Sequence, residues 1–271
     1  PREDRDASAL VQAALLRDGV GLLCCGKETK LSPAEDGIRL TLSSHERDHD
    51  LIVDKLLVSV GRAPNVEGLG LDAAGVKYDP RKGVDVNDRL QTTNPRIYAA
   101  GDVCSKYQFT HAADAMARLC LRNALFFGRG RLSKLVIPNC TYTDPEVAQI
   151  GLTPVEADRQ GIPIDSYRQD LAGVDRAVLD GATQGYAVIH TKKGKSQIVG
   201  ATVIATHAGE MIGEVSLLMT KGLPITALAD TVHCYPTQVE VLRRIGDAYN
   251  KTKLTPLVAS LFRSLLAWRR S

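Results

Sequence analysis

"IYAAGDVCSKYQFTHAADAMARLC", residues 97 to 120, is the stretch whose reading decides the fold. Four apolar or small residues, Ile97 to Ala100, run into Gly101-Asp102; a polar loop follows, and apolar positions then recur at helical spacing from about residue 110. An acid therefore stands at the open end of what reads as a buried strand. A glycine before it lets a ligand approach the backbone, and a carboxylate there suits hydrogen bonding to ligand hydroxyls in the crevice where α/β sheets bind. The competing reading is a strand-ending turn in which Asp102 caps the local backbone.

Working outward, composition bounds the answer. The chain has 271 residues, 44% hydrophobic and 24% charged, which is ordinary for one or two globular domains and argues against disorder and against an integral membrane span. Lys plus Arg number 34 against 31 Asp plus Glu; a net +3 over this length gives no case for nucleic acid binding and leaves a small-molecule role as the default. Six cysteines, at 24, 25, 104, 120, 140 and 234, show no Cys-x-x-Cys or zinc spacing, so reduced thiols in a cytoplasmic setting are expected. Pro1 is not a translational start, and a helix is expected within a few residues of it; the chain reads as the C-terminal part of a longer protein.

Three stretches follow one another. In 1–65, Ala7, Leu10, Val11, Ala14 and Leu15 predict a helix over 7–18 with Asp6 as N-cap and Gly19 as its end. After it "VGLLCCGKETKLS" (20–32), "GIRLTLSS" (37–44) and the apolar "DKLLVSVG" (54–61) read as β. This is half of a nucleotide-binding unit, without the Gly-rich phosphate turn that would open it. Residues 66–133 hold a loop, a short strand in "GVDVND" (83–88), the opening motif and a helix over about 110–127. Within 134–271, Thr153-Pro154-Val155-Glu156 is a capping box with proline at the first helical position, and Gly161 stops that helix. Two β-rich runs around Lys193-Gly194 predict a hairpin, "GEMIGEVSLLMTKG" (209–222) a long helix, and residues near 240–250 another. Helices on one face of an antiparallel sheet make this last stretch α+β.

Four motifs in order now carry a resemblance. "TTNPRIYAAGD" (92–102), "LLVSVGRAPNVEGLGLDAAGV" (56–76), "TDPEVAQIGLTPVEA" (143–157) and "HCYPTQVE" (233–240) resemble segments of the pyridine nucleotide-disulfide oxidoreductases, over nearly the whole chain. The resemblance implies an α/β chain: part of a two-dinucleotide-binding-domain FAD/NAD(P) fold followed by an α+β dimerisation domain. Residues 1–65 would then be the C-terminal half of the NAD(P)-binding domain, 66–133 the return segment of the FAD-binding domain, and 134–271 the dimerisation domain. It further implies a homodimer that takes hydride from NADH or NADPH onto FAD and passes electrons through a cysteine pair, absent from this chain, to a small-molecule or metal-ion acceptor.

By the same resemblance Asp102 would bind the flavin ribityl chain and Gly101 would give it room. Gln108, Phe109, Thr110 and His111 would bring backbone N–H groups and a helix start towards the flavin ring, whose negative charge on reduction suits the positive end of a helix. Gly61 and Arg62 would lie where the nicotinamide nucleotide approaches; the alternative is a turn needing positive φ with an arginine in solvent. The closing motif departs from the family's disulfide reductases, which carry a histidine where this chain has Tyr235, with Glu240 at the spacing of the glutamate that holds that histidine. Tyrosine, with an ordinary pKa of about 10, donates a proton but is a poor base near neutrality. Tyr235 therefore resembles the mercuric reductase-like branch, although no cysteine follows Cys234 to form the vicinal pair usual there. His233 as a nearby base and Cys234 as a soft ligand are weighed against a surface histidine and a buried cysteine.

Other features read as structural. Cys24 and Cys25 alternate faces of an apolar run and are expected as packed core thiols. His45 and His49 belong to a polar hairpin tip rather than a metal site. The tail "LTPLVASLFRSLLAWRRS" (254–271) predicts a helix with Thr255 as N-cap and one apolar face, resting on the protein or on an acidic membrane surface. Two alternatives remain open: a non-catalytic dimerisation or interaction module, and a family member that reduces a quinone or carrier protein directly.

Overall fold

The computed structural model describes residues 4–270; Pro1 lies outside the described residues. Helix α1 (Arg5–Arg17) begins earlier than expected, because Asp4 and not Asp6 is the N-cap. The Asp4 carboxylate accepts from the N–H groups of Asp6 at 2.9 Å and Ala7 at 3.3 Å, pairing donors that a first turn leaves open. Asp6 turns outward to Arg168, at 3.1 Å.

Strands β1 (Lys27–Ala34), β2 (Gly37–Ser44) and β3 (Arg47–Val53) form an antiparallel meander in sequence order. Two expectations fail beside it. Residues 20–26 form no strand, and Cys24 and Cys25 are exposed in a turn rather than packed. Nor do residues 54–61 join a sheet among the described residues: Leu57 is 88% exposed and Val60 93%. A run apolar on both faces is a stable strand only between neighbours that cover both. Among the described residues no strand stands on either side of it.

A two-stranded ladder, β4 (Tyr78–Asp79) with β5 (Gly83–Val84), precedes the opening motif. Residues 97–100 are half-buried and join 90–91 through a Gln91–Tyr98 bridge and an Ala99 N–H to Leu90 carbonyl bond of 3.1 Å. The buried strand expected there is thus a short extended segment, for the same lack of sheet neighbours. It ends in a single 3-10 turn over Gly101–Val103, after which α2 (Thr110–Leu125) packs Ala112, Met116 and Leu119 onto Leu90.

Of the remaining elements, the capping-box helix, the hairpin around Gly194 and the helices over 209–222, near 240–250 and in the tail follow the sequence reading; three strands and two short helices add to them. In chain order all of these are β6 (Asn139–Thr141), β7 (Glu146–Gly151), α3 (Pro154–Arg159), β8 (Ile164–Asp170), α4 (Asp175–Leu179), β9 (Tyr186–Lys192), β10 (Ile198–Ala205), α5 (Ala208–Lys221), α6 (Thr226–Asp230), α7 (Glu240–Thr252) and α8 (Pro256–Arg270). The five strands are antiparallel in the order β6-β7-β10-β9-β8. Thr153 and Glu156 form the capping box, and Gly222, with φ +66°, closes α5 in the left-handed region that glycine occupies without strain. Central β10 is buried on both faces. Ala201, Val203 and Ala205 belong to the core built with α5, α6 and α7, while Ile204 packs with Val147, Tyr186 and Ala7 of α1. Helix α1 therefore lies across the outer face of this sheet, a placement that its own sequence did not suggest. Among the described residues no helix is long and apolar enough to cross a membrane.

The sheet also buries His190, whose Nδ1 shares a 2.8 Å hydrogen bond with the Ser166 hydroxyl. Burial disfavours the imidazolium and holds its pKa below the usual value, against a smaller opposing effect of Asp4. Above the unfolded-state value of about 6.5 both states are neutral and the full stability is present; below it the unfolded state takes up the proton first, so stability falls. The melting temperature should accordingly drop as pH is lowered through that window. A His190→Gln variant should be less stable overall and lose that component of the pH dependence; an unchanged slope would show that burial of the ring does not control it.

Candidate functional site

The opening motif and the start of α2 line a cleft of about 860 Å³. One wall carries Arg62, Asp102 and the run Gln108 to His111; the other carries residues 136–140, Tyr142, and Gly209 and Ile212 of α5. Gly101 lies buried beneath with φ +81°, and a Cβ built on it would meet the Ala113 Cβ at 2.9 Å. The turn can press against α2 because position 101 has no side chain. Among the described residues the Asp102 carboxylate caps no backbone group; it is half-exposed, with the Arg62 guanidinium 3.7 Å away. That disposes of the strand-ending cap as its role. Arg62, rather than lying free in solvent, also donates to the Gln108 carbonyl at 3.0 Å and so ties the 61–62 turn to the start of α2. Gly61 precedes it with φ +133° and open space around it.

Phe109 is the N-cap of α2 in extended backbone and supplies no side-chain cap. The first N–H groups of a sixteen-residue helix are therefore left facing the cleft, with the positive end of the helix dipole. His111 is fixed by a 2.8 Å hydrogen bond between its Nε2 and the Pro138 carbonyl and by stacking on Phe109, centroids 5.3 Å apart. Cys140 was not singled out in the sequence, yet it lines the cleft. Burial, aided by the Glu146 carboxylate 3.9 Å from its Sγ, pushes its thiol up to about 11. It is a neutral thiol and not a nucleophile near neutrality.

The closing motif builds a second, smaller recess of about 360 Å³, lined by residues 231–235, Glu240 and Arg243. It shares no lining residue with the cleft. Here the expected exposures are reversed: the His233 side chain is only 7% exposed, paired with Glu214 at 3.1 Å, while Cys234 is exposed. Tyr235 is 70% exposed and is not a packed aromatic. Its hydroxyl donates to Asp175 Oδ2 at 2.7 Å rather than to Glu240. That hydrogen bond, reinforced by the charges of Asp175 and Glu240 and opposed by Arg244, raises the Tyr235 pKa above its ordinary value. Glu240, at the start of α7, is buried, and burial pushes its carboxyl up. Hydrogen bonds to Oε1 from Arg243 at 2.9 Å and Arg244 at 3.2 Å outweigh this and hold it below the usual range. Its Oε2 is buried with no hydrogen-bond partner among the described residues. Asp175 and Glu214, which hold Tyr235 and His233, lie 60 and 19 residues away in sequence; no local pattern marks them.

His45 and His49 lie on the β2–β3 hairpin as read, and among the described residues no group of three or more His, Cys, Asp or Glu side chains could hold a metal ion.

Both halves of the chain match one family. Residues 1–117 match the model described as pyridine nucleotide-disulphide oxidoreductase, and residues 137–245 that of its dimerisation domain. The chain belongs to the pyridine nucleotide-disulfide oxidoreductase family, whose members are FAD-dependent NAD(P)H oxidoreductases. It is 32% identical over 253 residues to dihydrolipoyl dehydrogenase of Thermus scotoductus, covering 93% of this chain and 54% of that protein. It is 34% identical over 250 residues to mercuric reductase of Shewanella putrefaciens, covering 92% and 44%. The chain thus spans about half the length of the curated relatives it matches. Among solved structures, the HOCl-induced flavoprotein disulfide reductase RclA of Escherichia coli superposes with a TM-score of 0.80 at 27% identity, over 91% of this chain and 56% of that one. LpdA of Mycobacterium tuberculosis shares the fold with a TM-score of 0.84 at 22% identity, over 92% and 54%.

Proposed function

We propose that this chain serves an FAD-dependent NAD(P)H oxidoreductase that works in the cytoplasm as a homodimer. Electrons would pass through the flavin and a cysteine pair, which this chain does not carry, to a disulfide, a metal ion or a related small-molecule acceptor. The observation that carries the reading is the bare Gly101-Asp102 turn beside the uncapped start of α2. A half-exposed carboxylate that caps nothing and faces only the Arg62 guanidinium is open to vicinal hydroxyls, a glycine whose Cβ would meet Ala113 gives close approach, and unpaired N–H groups suit a polar, electron-accepting ring edge. Those features fit a flavin. When bound, the flavin accepts hydride from the nicotinamide and releases electrons singly or in pairs.

The rest is the work of this chain's residues. Asp102 would accept hydrogen bonds from the ribityl hydroxyls, Arg62 would hold the nicotinamide side of the cleft, and residues 108–111 would orient the ring. Tyr235, held by Asp175, would donate its proton to a leaving thiolate or a metal-bound ligand in the acceptor. Two copies joined through the dimerisation domain would let the recess of one copy complete the cleft of the other. Free cysteines, three of them exposed, support the cytoplasmic setting.

The test is Asp102→Ala in the full-length protein. Losing a charged acceptor should weaken FAD binding by roughly 10- to 100-fold with the fold unchanged. FAD affinity equal to that of the wild type would remove Asp102 from the site, and a colourless wild-type dimer would favour the interaction module instead.

A further inference from the structure

Among the described residues helix α8 (Pro256–Arg270) has no buried side chain, and residues 261–270 are all exposed. It lies past residue 245, where the match to the dimerisation domain ends. At 3.6 residues per turn Leu257, Leu261, Phe262, Leu265, Leu266 and Trp268 fall on one half of its circumference, with Arg263 and Arg270 on the other. Arg269 falls within the apolar half, near its end, where a long stem can carry the charge outward. From residue 248 onward the chain holds five cations, Lys251, Lys253, Arg263, Arg269 and Arg270, and no acid.

We propose that α8 lies in the plane of an anionic lipid surface. Fifteen residues at about 1.5 Å each reach roughly 22 Å, short of the ~30 Å hydrocarbon core, so the helix is suited to the interface and not to crossing it. An apolar half with a cationic margin matches acyl chains beneath anionic headgroups. A second copy of α8 is a poor occupant, because it would bring like charges together with no acid to pair them. The inference does not depend on the flavin reading.

The experiment uses full-length protein with vesicles of phosphatidylcholine alone and of phosphatidylcholine and phosphatidylglycerol in equal parts. Partition should be at least about tenfold stronger onto the anionic vesicles and should fade as salt shortens electrostatic range. Trp268, the single tryptophan of this sequence, should shift its emission to the blue on binding, a signal that Trp268→Phe removes. Reversing Arg263, Arg269 and Arg270 to glutamate should reduce partition roughly 10²-fold. Leu261→Ser with Phe262→Ser should reduce it on both vesicle types, leaving flavin absorbance and turnover as they were. Equal binding to neutral vesicles, or no difference between wild type and these variants, overturns the proposal. So does a variant that loses its dimer in sedimentation velocity, since the helix would then belong to a second copy.

Discussion

Gly101→Val in the full-length protein should lose about 2–5 kcal/mol of stability and fail to retain flavin. Two effects combine. A β-branched residue at φ +81° occupies a region that costs an L-residue roughly 1–2 kcal/mol. Its Cβ would also press on Ala113 at 2.9 Å, and overpacking typically costs about 1–3 kcal/mol. Relief requires the turn to move off α2, which displaces Asp102 and opens the cleft wall. Gly68 separates the two effects: it has φ +73° but nothing near its Cβ position, so Gly68→Ala should lose only about 1 kcal/mol and leave the flavin in place. Urea unfolding and the ratio of flavin to protein absorbance measure both. A Gly101→Val protein that stays yellow and as stable as the wild type would show that the close approach at position 101 does not support the site.

Tyr235→Phe should lower kcat/KM for the acceptor by about 10²-fold, within the usual range for loss of a general acid, while reduction of the flavin by NAD(P)H proceeds at the wild-type rate. The split matters, because a merely structural defect would slow both half-reactions. The pH profile gives a second readout. With its pKa raised by the Asp175 hydrogen bond, Tyr235 keeps its proton across neutrality and loses it only above the ordinary value of about 10. Activity that depends on this donor should persist into alkaline solution and fall as pH rises through that raised value. Asp175→Asn should bring the fall back towards the ordinary value, and in Tyr235→Phe it should be missing. Glu240 is a poor substitute orienter, since its Oε1 is committed to Arg243 and Arg244. If Tyr235→Phe turns over acceptor at the wild-type rate, the tyrosine has no part in proton transfer.

Legibility followed the range of the forces involved. The capping box at Thr153, the Gly194 turn, the Gly222 stop and the periodicity of α2, α5 and α7 are decided within a few residues, and each was readable. So was the coincidence of Asp102 with residues 108–111, because one short loop joins them. The larger departures depended on distant neighbours. "DKLLVSVG" has the composition of a buried strand, but a strand needs partners, and none flanks it among the described residues. Cys24 and Cys25 read as core thiols for the same reason, and without sheet neighbours they stay exposed. Asp4 displaced Asp6 as a cap because the helix begins at Arg5, two residues before the apolar pattern does.

The sequence by itself determined the family, through four motifs in order, together with the antiparallel α+β character of its second half and the acid-bearing turn at 101–102. The tertiary structure alone decided which side chains meet. It set Asp175 against Tyr235 across 60 residues, buried His233 on Glu214 while leaving Cys234 exposed, laid α1 on the outer face of the sheet, and closed the cleft with residues 136–142 and α5. Motif and periodicity record what each segment requires locally; the partner of a hydrogen bond is fixed only when packing brings two remote segments within about 3 Å.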